Sequence, residues 1–446
     1  MNIFKAYDIR GRYPEEVNEA FAYKIGRSIV HLLGAKKILV ARDAREGSLE
    51  LSQSLMKGII DQGANVIFMD FSTTPMFYHF KIKKEFDAGI MITASHLPAG
   101  FNGMKFLREE KQIMGYEAGL KEVEALIESG ELDKILLAEK KGLSENADYT
   151  DEYVEFVINS VPGNLKDQKV VIDGSDGMAG PFAKKILDKV GADYISLNCE
   201  FNLENASHGF NPLEDEARAQ AKAKILETGA AFGAVFDADA DRVAFLDEHG
   251  EFIPGDISIA IMVENITKPG DVVVHDLISG RALVDTINKM GCKSIPTAIG
   301  QINITKVFRE HNARVGGEQS CHINFRENFG CEATLIALLN MINILNKTGA
   351  KMSELVNPLK ESWLKSGELN YEMESNEQKE KKIDEVKEKF SDGTLNFEDG
   401  VKVDYEDSWL NVRKSNTEPL LRLRIEANSK ERLEEIKARV EKVILG

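Results

Sequence analysis

Short apolar runs alternate with helical stretches from the start of this chain, and the alternation restarts twice. This constrains the fold more than any other feature, because a strand–helix–strand succession has to cross over a sheet. In the first cycle Val17, Phe21, Ile25, Ile29, Leu32 and Leu33 recur at helical spacing. Residues 37–41 then read as a buried strand, 51–60 as a helix and 64–69 as a strand. Thr74-Pro75 opens another helix, with proline where a first turn tolerates it. The strand 88–93 closes the cycle and ends at Ser95. The alternation predicts a largely parallel sheet covered on both faces.

The pattern restarts after a charged stretch near residues 139–150. Strands are expected at 169–173, 192–197 and 230–236, with helices after Gly180 and over 218–227. The last of these strands runs into Asp237, and 242–246 reads as a strand again. A third cycle places helices at 257–264, 281–290 and 302–309, strands at 271–275 and 293–296, and a helix at 333–345. The tail differs: 376–390 is a charged helix, 401–405, 409–413 and 421–425 alternate like antiparallel strands, and 430–445 is an amphipathic helix. A chain of 446 residues exceeds one ordinary core. The expected class is therefore α/β: three related mixed α/β domains with helix-covered sheets, and a C-terminal α+β domain with an antiparallel sheet. Their expected limits are 1–145, 146–250, 251–355 and 356–446. The likeness of the three units is one of pattern; no strong residue-level repeat accompanies it.

A formal net charge of −17 argues against nucleic acid and anionic membranes as partners. No apolar run approaches the roughly 20 residues of a membrane span, and the N-terminus lacks the apolar core of a signal peptide. A cytoplasmic protein is expected. Cys199, Cys292, Cys321 and Cys331 lack metal-ligand spacing and fit reduced thiols. An acidic protein that binds an anion has to concentrate its basic groups locally. Arg10/Arg12, Lys105, Arg242 and Arg413/Arg422/Arg424 are such concentrations.

Ser95 lies at the carboxyl end of its strand, where ligands sit in open α/β sheets. Its hydroxyl can carry a phosphate if a base or metal assists it. Lys105 follows closely enough to fold back over the loop, where its ammonium can pair with phosphate or exchange a proton. His96 either orients the loop or takes part in catalysis. The competing reading is a plain turn with a solvated serine.

Asp237, Asp239 and Asp241 share one face if the extended segment continues through them. Three carboxylates so close repel unless a cation lies among them, and oxygen ligands suit Mg²⁺ or Mn²⁺. Asp237 to Glu248 also carries acids at calcium-loop positions, but Arg242 stands where that loop needs glycine. An Asp-x-Asp phosphatase nucleophile is a further reading, set against Asp241 following the pair, and an acidic surface patch is the plain one. Farther on, Arg413-Lys-Ser415-Asn416-Thr417-Glu-Pro419 joins two strand patterns. A planar guanidinium with short neutral donors suits a phosphate that is bound, released and rebound; the alternative is a polar hairpin turn.

Five stretches, taken in order, resemble the α-D-phosphohexomutase family, specifically its phosphomannomutase/phosphoglucomutase group. They are 4–11 (FKAYDIRG), 93–96 (TASH), 237–242 (DADADR), 317–320 (GEQS) and 413–419 (RKSNTEP), and they span nearly the whole chain. The resemblance implies four domains around a central cleft. It implies a phosphoserine at Ser95, with Mg²⁺ held by Asp237, Asp239, Asp241 and an oxygen on Ser95. Ser95, Lys105, Arg10 and His96 are the implied catalytic group. Tyr7, Arg10, Lys105 and Arg242 would line the reacting end. Glu318 and Ser320 would meet sugar hydroxyls, and Arg413, Ser415, Asn416, Thr417 and Arg422 the non-reacting phosphate. The implied reaction interconverts hexose 1-phosphate and hexose 6-phosphate, of mannose or glucose, through a hexose 1,6-bisphosphate. The implied partners are hexose phosphates, for a monomer or homodimer. A phosphoglucosamine mutase and a non-catalytic sugar-phosphate-binding paralogue stay open. Leu97, Ala238, Ala240, Gln301 and Cys321 depart from the family's usual residues, and Gln319 is shared with phosphoglucosamine mutases.

Overall fold

The computed structural model describes residues 3–108, 112–415 and 419–446. In the first unit the strand Lys37–Arg42 is central. It pairs in parallel with Asn65–Phe71 on one side and Ala88–Ile92 on the other. Ala88–Ile92 then turns back into Phe101–Leu107, which is antiparallel to it and puts Lys105 opposite Met91. Ile9–Arg12 adds an antiparallel edge and Ser144–Asn146 a parallel one.

The second unit repeats this plan. Lys169–Asp173 is central, with Asp193–Leu197 and Phe232–Phe236 parallel on its two sides and Val243–Leu246 folded back antiparallel. In the third unit Val272–Asp276 is central, between Lys293–Thr297 and Val315–Gly317, with Ile323–Phe325 folded back. The three α/β units are thus one topology used three times. The three central strands of each sheet are parallel as expected, and the returning strand makes each sheet mixed. A parallel return needs a crossover of about a dozen residues or more, and the short links after Ile92, Phe236 and Gly317 permit only hairpins.

The fourth unit is antiparallel, built on Val401–Asp404, Ser408–Lys414 and Leu420–Ala427. Helices Asn376–Lys389 and Lys430–Leu445 cover it. Its core, centred on Phe390, Leu410, Val412, Leu423 and Val440, is separate from the continuous core running through the first three units.

Local signals explain the ends of the elements nearest the site. Thr73 caps the helix Thr74–Lys83 by accepting a hydrogen bond from Met76 N, with Pro75 in its first turn. Gly317, at φ +146°, ends its strand so close to the returning one that a Cβ would lie 2.0 Å from His322 O. Only glycine fits there. All four cysteines are free and buried. Among the described residues, no helix is long and apolar enough to cross a membrane.

Candidate active site

The three hairpin links carry the residues singled out by sequence. Each link has one non-glycine residue in the left-handed region: Ser95 at φ 54°, Ala240 at φ 64° and Cys321 at φ 70°. Such strain persists only where the surroundings over-determine it. Around Ser95 they do. Ser95 N donates to Thr93 Oγ1 at 2.9 Å. The buried Arg45 guanidinium donates to the carbonyls of Ser95 at 2.5 Å, Leu97 at 2.7 Å and Pro98 at 3.0 Å. Ser95 Oγ lies 3.4 Å from His96 Nδ1. Burial, followed by the Arg242 and Arg10 charges, drives the His96 pKa down to about 2, so the ring is neutral.

The aspartate link is a turn, not the extended segment expected. Asp237 Oδ1 accepts from Arg242 N at 3.1 Å and closes it. The turn still converges the carboxylates: one oxygen from each of Asp237, Asp239 and Asp241 lies within 4.8 Å of the others. Two other units hold the link in place. Thr74 Oγ1 donates to Asp239 Oδ2 at 2.6 Å, and Thr334 Oγ1 donates to Ala240 O at 2.6 Å. Lys105 Nζ lies 2.6 Å from Asp239 Oδ2 and 2.5 Å from Asp241 Oδ2.

Burial, reinforced by Asp241 and Asp239, pushes the Asp237 carboxyl well above the usual carboxylate range. Burial also opposes charge on Asp241, but Lys105, His322 and Arg242 outweigh it and hold that carboxyl well below the range. For Lys105 burial is likewise outweighed, by Asp239 and Asp241, and its ammonium is held well above its ordinary pKa. Even with Lys105 in place, Asp237 Oδ2, Asp239 Oδ1 and Asp241 Oδ1 are buried without a hydrogen-bond partner. Leaving such oxygens unmet is costly. One bare oxygen per aspartate is the donor set of a hard divalent cation, so these residues fit a metal.

On the third link Glu318 accepts from Gly300 N and from Gln301 Nε2, both at 2.7 Å. Burial first, then Asp276, raises its pKa to about 7. Asn324 Nδ2 fixes the Gln301 amide by donating to its Oε1 at 2.9 Å. His322 Nε2 accepts from Arg242 Nε at 3.0 Å. Burial leads in lowering the His322 pKa to about 4, so this ring too is neutral. Tyr7 packs where a Cβ on Gly300 would stand, 2.6 Å from its ring, and its hydroxyl donates to Ile299 O at 3.1 Å.

Tyr7, Arg10, Ser95, Lys105, Asp241, Arg242, Glu318 and Ser320 line one cavity of about 280 Å³. Arg413, Arg422 and Arg424 line a second, of about 610 Å³. Ile299 and Ser320 belong to both, so the cavities adjoin. Asp237 and Asp239 support the first from behind, and His96 flanks Ser95. Ser415 N donates to Leu420 O at 2.9 Å beside the arginines. Asn416 and Thr417 lie outside the described residues.

Sequence reasoning missed Arg45, Thr74, Glu332 and Glu368. Arg45 follows a predicted strand end, a weak signal; Thr74 was legible only as a helix start. Glu332 and Glu368 gave none. Glu332 is buried in the first cavity, where burial and then Asp241 push it up to about 8.

Comparison with known proteins follows the same division. Four models of phosphoglucomutase/phosphomannomutase match in order: alpha/beta/alpha domain I over residues 1–134, domain II over 147–250, domain III over 254–362, and the C-terminal domain over 368–443. The chain is 31% identical to the phosphomannomutase of Vibrio cholerae, over 96% of this chain and 94% of that protein. It is 31% identical to that of Methanocaldococcus jannaschii, over 99% and 98%. The crystal structure of a phosphoglucomutase/phosphomannomutase family protein from Burkholderia thailandensis superposes with a TM-score of 0.87 at 26% identity, covering 99% of this chain and 96% of that one. Four matching domains in family order, on a site with a serine, three aspartates and an arginine cavity, have one reading: this chain belongs to the phosphoglucomutase/phosphomannomutase family.

Proposed function

We propose that this enzyme interconverts hexose 1-phosphate and hexose 6-phosphate, of mannose or glucose, using Ser95 as a phosphoryl carrier. The observation that carries the reading is the adjoining of two cavities through Ile299 and Ser320. One holds a candidate nucleophile with a cation site. The other holds an arginine cluster suited to a second phosphate. A hexose bearing phosphate at one end and a free hydroxyl at the other suits such a pair.

The residues divide the work. Arg413 and Arg422, with Ser415, hold the non-reacting phosphate. Glu318 and Ser320 meet sugar hydroxyls, while Tyr7, Arg10 and Arg242 line the reacting end. The P–Oγ bond of phosphoserine 95 breaks as the substrate hydroxyl forms a new P–O bond, giving a hexose 1,6-bisphosphate. The opposite phosphoryl group then returns to Ser95. Lys105, held cationic, offsets charge on the group in transfer. The proton of the substrate hydroxyl passes to Ser95 Oγ as the P–Oγ bond breaks, and His96, 3.4 Å from that oxygen, orients it. Asp237, Asp239 and Asp241, completed by an oxygen on Ser95, would hold Mg²⁺, which supplies positive charge to phosphate oxygens when bound.

The fourth unit, a cap with its own core, closes over the cleft and keeps water from phosphoserine. The unit limits near 145, 250 and 355 and a cytoplasmic location belong to this proposal. Four separate sheets support the limits, and buried free thiols support the location.

The test is intact mass with peptide mapping, before and after glucose 1,6-bisphosphate and Mg²⁺. One phosphoryl group on Ser95, lost to glucose 1-phosphate as glucose 6-phosphate appears, is the expected result. No phosphate on Ser95 under any condition would overturn it.

A further inference from the structure

The second cavity brings three guanidinium groups together against electrostatic expectation. Arg413 stands directly opposite Arg422 in the antiparallel ladder, and Arg424 follows two residues along on the same face. Like charges placed so are destabilising. One side chain answers all three. Glu368 lies 3.5 Å from Arg413 Nη2, 3.4 Å from Arg422 Nη1 and 3.2 Å from Arg424 Nη2. Asp399 also acts on Arg413, through its charge.

We propose that Glu368 is a resident counter-anion in this cavity, competing with the substrate's phosphate for the same arginines and so hastening its release. The proposal rests on the reading of this cavity as a phosphate site. Two features support it. The contacts are looser than the roughly 2.7–2.9 Å of a well-formed charge-assisted pair, so the carboxylate is displaceable. Glu368 is also placed where the chain enters the cap, between strands Leu364–Lys365 and Leu369–Glu372. Its side chain is 23% exposed, giving it room to swing aside.

A cycle in which one phosphate must leave the arginines and the other take its place is slowed by overly tight binding. A built-in competitor weakens the ground-state grip. It acts through the arginines, so it is a positioning residue. Its removal should strengthen binding, whereas removal of a merely structural partner would weaken it.

The test uses the full-length protein in EDTA, so that no turnover occurs, with glucose 6-phosphate and, separately, inorganic phosphate as calorimetric probes. Glu368→Gln, with Glu368→Ala as a second variant, is expected to bind glucose 6-phosphate about 5-fold more tightly, the scale of one partly exposed ion pair. With Mg²⁺ restored, KM and kcat should fall together. Unchanged or weaker binding in both variants would overturn the proposal. Arg422→Lys separates the two layers. If it leaves the affinity unchanged, the phosphate reading fails and the proposal with it. If it loses affinity while Glu368→Gln gains none, the proposal alone fails.

Discussion

Thr74 grips Asp239 twice across 165 residues of chain: its hydroxyl donates to Oδ2 at 2.6 Å and its amide to the backbone carbonyl at 2.9 Å. The carboxylate is thereby fixed from the first unit, while Lys105 neutralises it from the same side. Asp239→Asn keeps an oxygen for Thr74 and removes the charge. The expected result is a fall in turnover on the order of 10²-fold, with half-maximal activity moved to higher Mg²⁺. An unchanged Mg²⁺ dependence would count against the cation site.

Ser95→Ala removes the proposed phosphoryl carrier and leaves both cavities otherwise intact. Isomerisation should vanish, while glucose 6-phosphate still binds by calorimetry. Full activity in this variant would remove Ser95 from the mechanism.

Arg45 holds the serine link through carbonyl groups and touches no cavity of the site. Lysine retains the charge but not the planar fork. Arg45→Lys should therefore lower kcat by about 10²-fold, the usual cost of a misplaced reacting group, with little change in KM. A KM effect without a kcat effect would mean that the loop holds its shape by other contacts.

Glu318 gives the enzyme a pH-dependent stability. Its folded pKa is raised from 4.5 to about 7, chiefly by burial. A carboxyl raised in this way contributes fully below its unfolded pKa and loses that contribution as pH rises through the folded value. Stability should therefore decline between about pH 4.5 and pH 7, by roughly 3 kcal/mol at most. Glu318→Gln should flatten this part of the profile. Parallel melting curves of the two proteins from pH 5 to pH 8 would exclude Glu318 as its source.

Much of this was legible in the sequence, for identifiable reasons. Strands such as Val272–Asp276 and Phe232–Phe236 are apolar runs buried in their sheets and announce themselves. Phe101–Leu107 does not, because Asn102 and Lys105 interrupt its apolar residues: Asn102 donates to Ser48 Oγ, and Lys105 reaches the aspartates. Ile9–Arg12 is too short and too charged to show a period. The three aspartates were legible as a set, yet their backbone was not. Period two predicted one face of a strand, whereas a turn with Ala240 in the left-handed region brings them together. Arg45 and Thr74 act on partners far along the chain, and no local pattern records that. The arginines were visible as a cluster, but their shared partner Glu368 stands in an unremarkable polar stretch.

The three hairpin links, each pinned by one left-handed residue at the end of its own sheet, have a consequence for how such an enzyme can change. On the proposed reading, a substitution in the link that carries Glu318 would alter what the cleft accepts while the sheets beneath Ser95 and the aspartates stay in register. On that reading, preference among sugars would drift in one copy of the plan while phosphoryl chemistry is kept in the other two. A single fold, used three times, separates what is recognised from what is done to it.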